Sequence, residues 1–218
     1  MSTPPTDDEL LARIAMGDAT AFTALFRRRQ GEVFRFALHM IGSPAGAEDV
    51  TQEVFLTLMR DAGRYQPGRS SGIAWLCGIA RNHALRRLER ERSTVPLEDE
   101  ALPEHQALAV TSDPLGDLTR SEQLEALRRA VLSLPVRYRE VVVMCVLQEL
   151  SYLDAARAIG CAVGTIRSRL HRGRALLAAK MQARGRTQEP EAVAVEAPRS
   201  EGAPRDAAQR IAMAWRQV

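Results

Sequence analysis

From Asp8 to about Glu91 the apolar residues recur every three or four positions, a period that a helix buries on one face and a strand cannot. Leu10, Leu11 and Ile14 make one short stripe, and Phe22, Leu25, Phe26, Val33, Phe36, Ala37 and Met40 make a longer one. Ser43-Pro44 is a helix start: a hydroxyl that can cap, then a proline where a missing amide costs nothing. The helix it opens turns Val50, Val54 and Leu58 inward and Glu48, Asp49, Gln52 and Glu53 outward. Tyr65 to Gly72 is rich in Gly, Pro and Ser and reads as a loop. A further helix, Ile73 to about Arg92, is expected to bury Leu76, Ile79, Ala80 and Leu85 before turning strongly basic.

Between about Ser93 and Thr119 the period stops, and Pro96, Pro103, Pro114 and Gly116 interrupt an acidic stretch, as in a linker. Helical order resumes with Thr119-Arg-Ser-Glu122, a capping-box pattern, and the stripe Leu124, Leu127, Val131, Leu134. Pro135 opens the next helix. Its core, VVVMCVL, is β-branched like a strand, but the proline start and helical flanks place it in a helix. Two more helices are expected near 151–159 and 164–181. The fold class is therefore all-α, with two small helical domains. An N-terminal bundle covers 8–92, a flexible acidic linker 93–118, and a C-terminal four-helix domain 119–184. The tail at 185–218, rich in Pro, Glu, Ala and Arg, reads as mostly disordered. Within it Asp206–Val218 can form a short helix with Ala208, Ile211, Trp215 and Val218 on one side.

Net charge is only +3, yet the charges are segregated. From Thr94 to Leu127 stand Glu98, Asp99, Glu100, Glu104, Asp113, Asp117, Glu122 and Glu125 against Arg120 alone. From Ala155 to Gln188 stand Arg157, Arg167, Arg169, Arg172, Arg174, Lys180, Arg184 and Arg186 with no acid. One end of the molecule should therefore attract polyanions. The longest strictly apolar run, Val141 to Leu147, is too short to span a bilayer, and MSTPPTDDEL lacks the features of a signal peptide. A cytoplasmic protein without membrane insertion is expected. Cys77, Cys145 and Cys161 are odd in number and far apart, which suits neither disulfides nor zinc; Cys77 and Cys145 read as small core residues. No Gly-rich phosphate loop, paired His/Glu metal motif or nucleophile beside a base is found, so no enzyme activity and no cofactor are expected.

The chemistry concentrates near the C-terminal end. Ser151 can cap a helix, with Asp154 three residues on to complete the box, and Gly160 can end it in the left-handed conformation that a sharp turn needs. On the next helix, beginning at Thr165, Ile166, Leu170, Gly173 and Leu177 share one face, and Arg167, Ser168, His171, Arg172 and Arg174 the opposite arc. A second helix with a basic, hydrogen-bonding outer face is what reading the major groove requires. A solvated Arg-rich helix is the plainer alternative; helix-turn-helix spacing, capping pattern and acid-free charge together favour DNA.

SYLDAARAIGCAVGTIRSRLHRGRALL resembles the helix-turn-helix at the C-terminus of extracytoplasmic-function sigma factors, and LSLPVRYREVVVMCVLQEL the helices before it. GAEDVTQEVFL is similar to that family's polymerase-clamp-binding helix, and AWLCGIARNHALRRLER to its helix that reads melted promoter DNA. The resemblance implies a factor that binds core RNA polymerase, through the clamp coiled coil of the largest subunit and the flap, and directs promoter recognition. It implies further that an anti-sigma factor controls it and that it is a monomer when free. By position, Asp49, Gln52, Glu53 and Leu56 match the clamp-binding motif. Tyr65 to Ile73, with Arg69 and Ser70, matches the loop that takes a flipped-out base of the minus-ten element, a task needing a pocket and new hydrogen bonds. Trp75 and Asn82 match positions beside that element, Trp75 being equally readable as core. Arg86, Arg87 and Arg90 match phosphate contacts. Thr165, Arg167, Ser168, Arg169, His171, Arg172 and Arg174 match the helix that reads the minus-thirty-five element.

Ala155 and Ala158 stand where the family often has isoleucine, Leu153 and Arg157 where it often has glutamate, and Gly173 where alanine is usual. Lost burial and a mid-helix glycine, the latter worth roughly 1 kcal/mol, lead to the expectation of a looser C-terminal domain. Gly78 and Gly72-Ile73 also depart from the bulkier residues common beside the recognition loop. The rival reading, a helix-turn-helix regulator needing no polymerase, leaves DVTQEVF and ARNHALRRLER without a task.

Overall fold

The computed structural model describes residues 4–94 and 116–187, among which there are eight α-helices and no strand. The linker expected at 93–118, the tail at 185–218 and its short helix lie largely or wholly outside the described residues.

Local capping sets the N-terminal bundle. Helix α1 (Asp7–Ala15) begins in a reciprocal box: Thr6 Oγ1 accepts from the Glu9 amide at 3.3 Å while Glu9 Oε2 accepts from the Thr6 amide at 2.8 Å. Helix α2 (Ala19–Ile41) starts on the Asp18 carboxylate, which accepts from the Thr20 and Ala21 amides, and stops at Gly42 with φ 89°. Helix α3 (Pro44–Asp61) is capped by Ser43, as its sequence suggested, and runs into a 3₁₀ turn, Ala62–Arg64. After a loop, helix α4 spans Gly72–Thr94. Leu10, Leu11, Leu25, Phe36, Met40, Leu58 and Leu76 are buried to within 1% of full burial. The inward stripe of α4 runs Leu76, Cys77, Ala80, Ala84, so Ile79 and Leu85, expected inside, fall on its flanks and are half-buried. Phe22 and Phe26 are likewise half-buried; they close the edge of the bundle against Phe55, whose ring centroid is 4.8 Å from that of Phe26.

The C-terminal part consists of α5 (Gly116–Leu132), α6 (Val136–Val142), a π-helical turn (Val143–Leu147), α7 (Tyr152–Ile159) and α8 (Val163–Thr187). VVVMCVL is helical as expected; the π turn is its departure from α geometry. Helix α5 starts three residues before Thr119, which places Thr119 inside the helix and removes the expected capping box there. Pro135 is the residue before α6 rather than its first member. Cys77 is wholly buried, whereas Cys145, expected in the core, is half-buried. Among the described residues no helix is long and apolar enough to cross a membrane.

The small residues expected to loosen this domain stand at close helix contacts. A Cβ placed on Gly173 would stand 2.8 Å from Val142 Cγ2 and 3.5 Å from Tyr138 Cβ, so the glycine lets α8 close onto α6. Ala155 is wholly buried, and Ala158 packs on the other domain: a Cβ on Gly78 would lie 3.5 Å from its Cα. Two departures from the family pattern thus face each other where α4 meets α7.

That contact belongs to a docked arrangement of the two helical parts. Glu140 of α6, 3% exposed, accepts from Arg81 of α4 at 2.7 Å and from Arg169 of α8 at 3.1 Å. Arg139 donates to the Met40 carbonyl of α2 at 2.6 Å and to the Leu132 and Leu134 carbonyls of its own domain. A carboxylate so deeply buried is tolerable only because two guanidiniums meet its two oxygens.

Candidate nucleic-acid and polymerase interfaces

Three surfaces carry the residues expected to be functional. The first is the outer face of α3. Burial of Val50, Val54, Phe55 and Leu58 leaves Glu48, Asp49, Gln52, Glu53 and Leu56 on the solvent side. Leu56 is 52% exposed, and Met59, one turn on, is 61% exposed. Met59 was missed by sequence reasoning, although its spacing from Leu56 could have signalled it. Two large apolar side chains among carboxylates are unusual on a solvated helix and usual on a docking face. Asp49 also joins this face to α4, for Arg87 Nη1 donates to its Oδ2 at 2.8 Å and Nε to Glu91 at 2.8 Å. These carboxylates hold the Arg87 guanidinium charged, above its ordinary value, with Asp49 the larger influence. Arg87, expected on phosphates, is therefore engaged inside the protein.

The second surface is the loop between the 3₁₀ turn and α4. Tyr65 does not offer its ring to solvent. It is 7% exposed, tilted against Trp75 at 5.4 Å between centroids, with its hydroxyl 2.5 Å from Asp8 Oδ1 and 2.8 Å from the Ser70 carbonyl. Burial and the Asp8 carboxylate push its ionisation well above the usual tyrosine value, so it stays a donor. Arg69 at the loop tip is exposed and donates to Gln66 Oε1 at 3.0 Å; Ser70 and Ile73 are half-buried. Trp75 is both core and surface: half-buried on Tyr65, it also lines a cleft of about 830 Å³ with Arg64, Arg69, Ile79 and Asn82. A neighbouring cleft of about 520 Å³ shares Arg64, Trp75 and Asn82 and adds Arg60, His83 and Arg86. Arg60, Arg64, Ile79 and His83 were missed; Arg64, one residue before the loop, was within reach of the sequence. Burial lowers the His83 pKa, and its Nε2 stands 3.2 Å from Thr57 Oγ1. Arg86 and Arg90 are exposed further along α4.

The third surface is α8. Ser151 caps α7 by accepting from the Asp154 amide at 3.0 Å, and Gly160, with φ 78°, turns the chain into α8. The Asp154 side chain does not complete the expected box. Its Oδ2 accepts from the Ser151 hydroxyl at 2.9 Å and its Oδ1 from the Ser71 amide at 3.2 Å, across the domain contact. Ile166, Leu170, Gly173 and Leu177 are buried, and Arg167, Ser168, His171, Arg172 and Arg174 are exposed, with no ion pair to any of the three arginines among the described residues. Thr165 is half-buried and its carbonyl accepts from Ser168 Oγ at 3.1 Å. Arg169 is the exception on this helix, turned inward to Glu140.

Residues 25–94 match the family model for sigma-70 region 2, and residues 124–177 the model for sigma-70 region 4. The ECF RNA polymerase sigma factor SigM of Mycobacterium tuberculosis strain H37Rv is 38% identical over 79% of this chain and 83% of its own. The chain belongs to the extracytoplasmic-function sigma factors. A second member, SigE of Mycolicibacterium smegmatis, is 37% identical over 73% of this chain, which spans 62% of the SigE length. The fold is that of solved sigma factors. CnrH, in complex with the cytosolic domain of CnrY, superposes with a TM-score of 0.60 at 24% identity, over 82% of this chain and 99% of that one. RpoE of Bartonella quintana, in complex with the anti-sigma factor NepR, gives 0.59 at 24% identity over 74% and 96%. In this sigma factor the three surfaces fall within the two matched regions, α3 and the loop in the first and the exposed face of α8 in the second.

Proposed function

We propose that this sigma factor binds core RNA polymerase through the α3 face, with Asp49, Gln52, Glu53, Leu56 and Met59 against the clamp coiled coil. Its C-terminal domain seats on the flap, and together the two domains place it on promoter DNA. The clefts beside Trp75 and Asn82 take the melted minus-ten strand: an aromatic ring supplies stacking, and Arg60, Arg64, Arg69 and Arg86 supply charge for the backbone. Arg167, Ser168, His171, Arg172 and Arg174 read and hold the minus-thirty-five duplex, while Arg169 serves the fold. The observation that carries this reading is the adjacency of the smaller cleft, with Arg60, Arg64 and Arg86 around Trp75 and Asn82, to the acidic and apolar α3 stripe on one small bundle. A DNA regulator acting alone needs the first and not the second.

The docked arrangement adds a constraint. Leu153, Arg157 and Val163 of the helix-turn-helix form part of the wall of the larger cleft, so its shape depends on how the two domains are docked. Polymerase separates the two domains, and an anti-sigma factor keeps the sigma factor from reaching polymerase. Work on polymerase places the protein in the cytoplasm. Capture of core polymerase by the purified protein tests the first step. Leu56→Glu should weaken it at least tenfold, about 1.4 kcal/mol, without lowering thermal stability. Equal capture by the variant contradicts the assignment of α3.

A further inference from the structure

Helix α1 lies before the matched sigma-70 region 2 and enters the surfaces above only through the bond between Asp8 and Tyr65. Yet it is fixed firmly. Leu10 and Leu11 are buried, and Asp7, with its side chain 9% exposed, holds Arg28 at 2.9 Å and Arg29 at 2.7 Å. The loop Tyr65–Ser71 rests on the first turn of this helix at both of its ends. At the near end the Tyr65 hydroxyl shares its proton between Asp8 Oδ1 at 2.5 Å and the Ser70 carbonyl at 2.8 Å, which closes the loop on itself. At the far end a Cβ on Gly72 would lie 2.8 Å from Asp7 Cβ and 3.1 Å from Leu11 Cδ1, so the start of α4 sits directly against α1. Between these anchors Gln66, Pro67, Gly68 and Arg69 are exposed and form a turn in which the Arg69 amide donates to the Gln66 carbonyl at 3.2 Å, Arg69 Nη1 donates to Gln66 Oε1 at 3.0 Å and Gly68 takes φ 77°.

We propose that Asp8 is a positioning residue for base selection, acting through Tyr65 to fix the shape of the loop that meets the melted strand. This rests on the reading of that loop as the minus-ten reader. The carboxylate–phenol bond is short and charge-assisted, and a phenylalanine of the same shape cannot make it. Tyr65 is also the ring on which Trp75 leans, so the same bond sets the wall of the cleft. A loop held in its reading shape before DNA arrives loses little freedom on binding and rejects a base that does not fit; a loose loop accommodates several.

The test uses the holoenzyme reconstituted from core polymerase and the full chain. It is exposed to single-stranded DNA randomised over six positions, and the bound fraction is sequenced. The quantity read is the ratio between the best and worst base at the most selective position. Tyr65→Phe and Asp8→Ala should each lower this ratio at least fivefold, about 1 kcal/mol, with affinity for core polymerase unchanged. Asp8→Asn, which keeps an acceptor oxygen, should retain most of the discrimination, and the double variant should be no worse than the worse single. A loss of melting temperature with the ratio intact, or singles that add, makes the bond mere structural support and overturns the proposal. Arg69→Ala and Trp75→Ala locate any failure. If they lower the ratio and Tyr65→Phe does not, the positioning role alone falls. If they too leave it intact, the loop is not the reader and both readings fall.

Discussion

Gly173→Ala should destabilise this sigma factor, although alanine is the better helix former. The substitution regains about 1 kcal/mol of helix propensity. Against that, the new methyl carbon would stand 2.8 Å from Val142 Cγ2, with the Tyr138 carbonyl and Cβ both at 3.5 Å. Val142 is 1% exposed and Tyr138 9%, so neither has solvent to move into. Overpacking of this kind costs about 1–3 kcal/mol, leaving a net loss near 1 kcal/mol. For a domain of this size that lowers the midpoint by about 4–8 °C. Thermal and urea unfolding followed by circular dichroism would measure it, with Val142→Ala and the double variant beside it. Val142→Ala alone leaves a small cavity and costs about 1 kcal/mol or more. In the double variant the new methyl occupies that space, so the double should be at least 1 kcal/mol more stable than the sum of the singles predicts. A Gly173→Ala protein more stable than the parent, or singles that simply add, would refute the reasoning that glycine is there for close approach.

Glu140→Gln should loosen domain docking, because one carboxylate serves Arg81 and Arg169 at once. Both arginines keep some solvent contact, so the expected loss is about 1–3 kcal/mol, below that for a fully buried pair. Small-angle scattering should show a larger radius of gyration, and an unchanged radius counts against the latch. His39 is 5% exposed and its pKa is lowered from 6.5 to about 4, chiefly by burial and then by the Arg128 and Arg35 cations. The unfolded chain binds this proton near pH 6.5 and the folded one only near pH 4. Stability should therefore fall as pH drops through that window, by up to about 3 kcal/mol from this residue, and His39→Gln should flatten the slope. Cys77 is wholly buried with its thiol pushed up to about 12, and Cys145 half-buried at about 11, both chiefly by burial. Mass spectrometry after brief native alkylation near pH 8 should find Cys161 modified first and Cys77 modified only on unfolding.

What the sequence made legible was local. Ser43, Ser151 and Gly160 act within four residues of themselves, and each caps or stops its helix where its chemistry says it should. The inward faces of α3 and α8 were legible for the same reason, since period alone fixes them. What escaped is set by partners distant in the chain. Arg169 lies at the edge of the basic arc, and only the fold brings Glu140, 29 residues earlier, to its side. Tyr65 looked like an aromatic available to a base until Asp8, 57 residues away, claimed its hydroxyl. Asp154 was assigned to its own cap, and the Ser71 amide of the other domain took one of its oxygens. Gly78, Ala158 and Gly173 read as losses because a missing side chain shows in a sequence, whereas the helix that comes close because of it does not.

In this reading the α3 face, the cleft beside Trp75 and the outer face of α8 act together, on polymerase. Transcription from fragmented genomic DNA by core polymerase, with and without this sigma factor, tests it most directly by mapping the 5′ ends of the transcripts. New, discrete starts that neither component produces alone should appear, each preceded at fixed distances by two shared short elements and lost together in Leu56→Glu. An absence of new starts, or binding to those elements as tight without polymerase as with it, would contradict joint action of the three surfaces on polymerase.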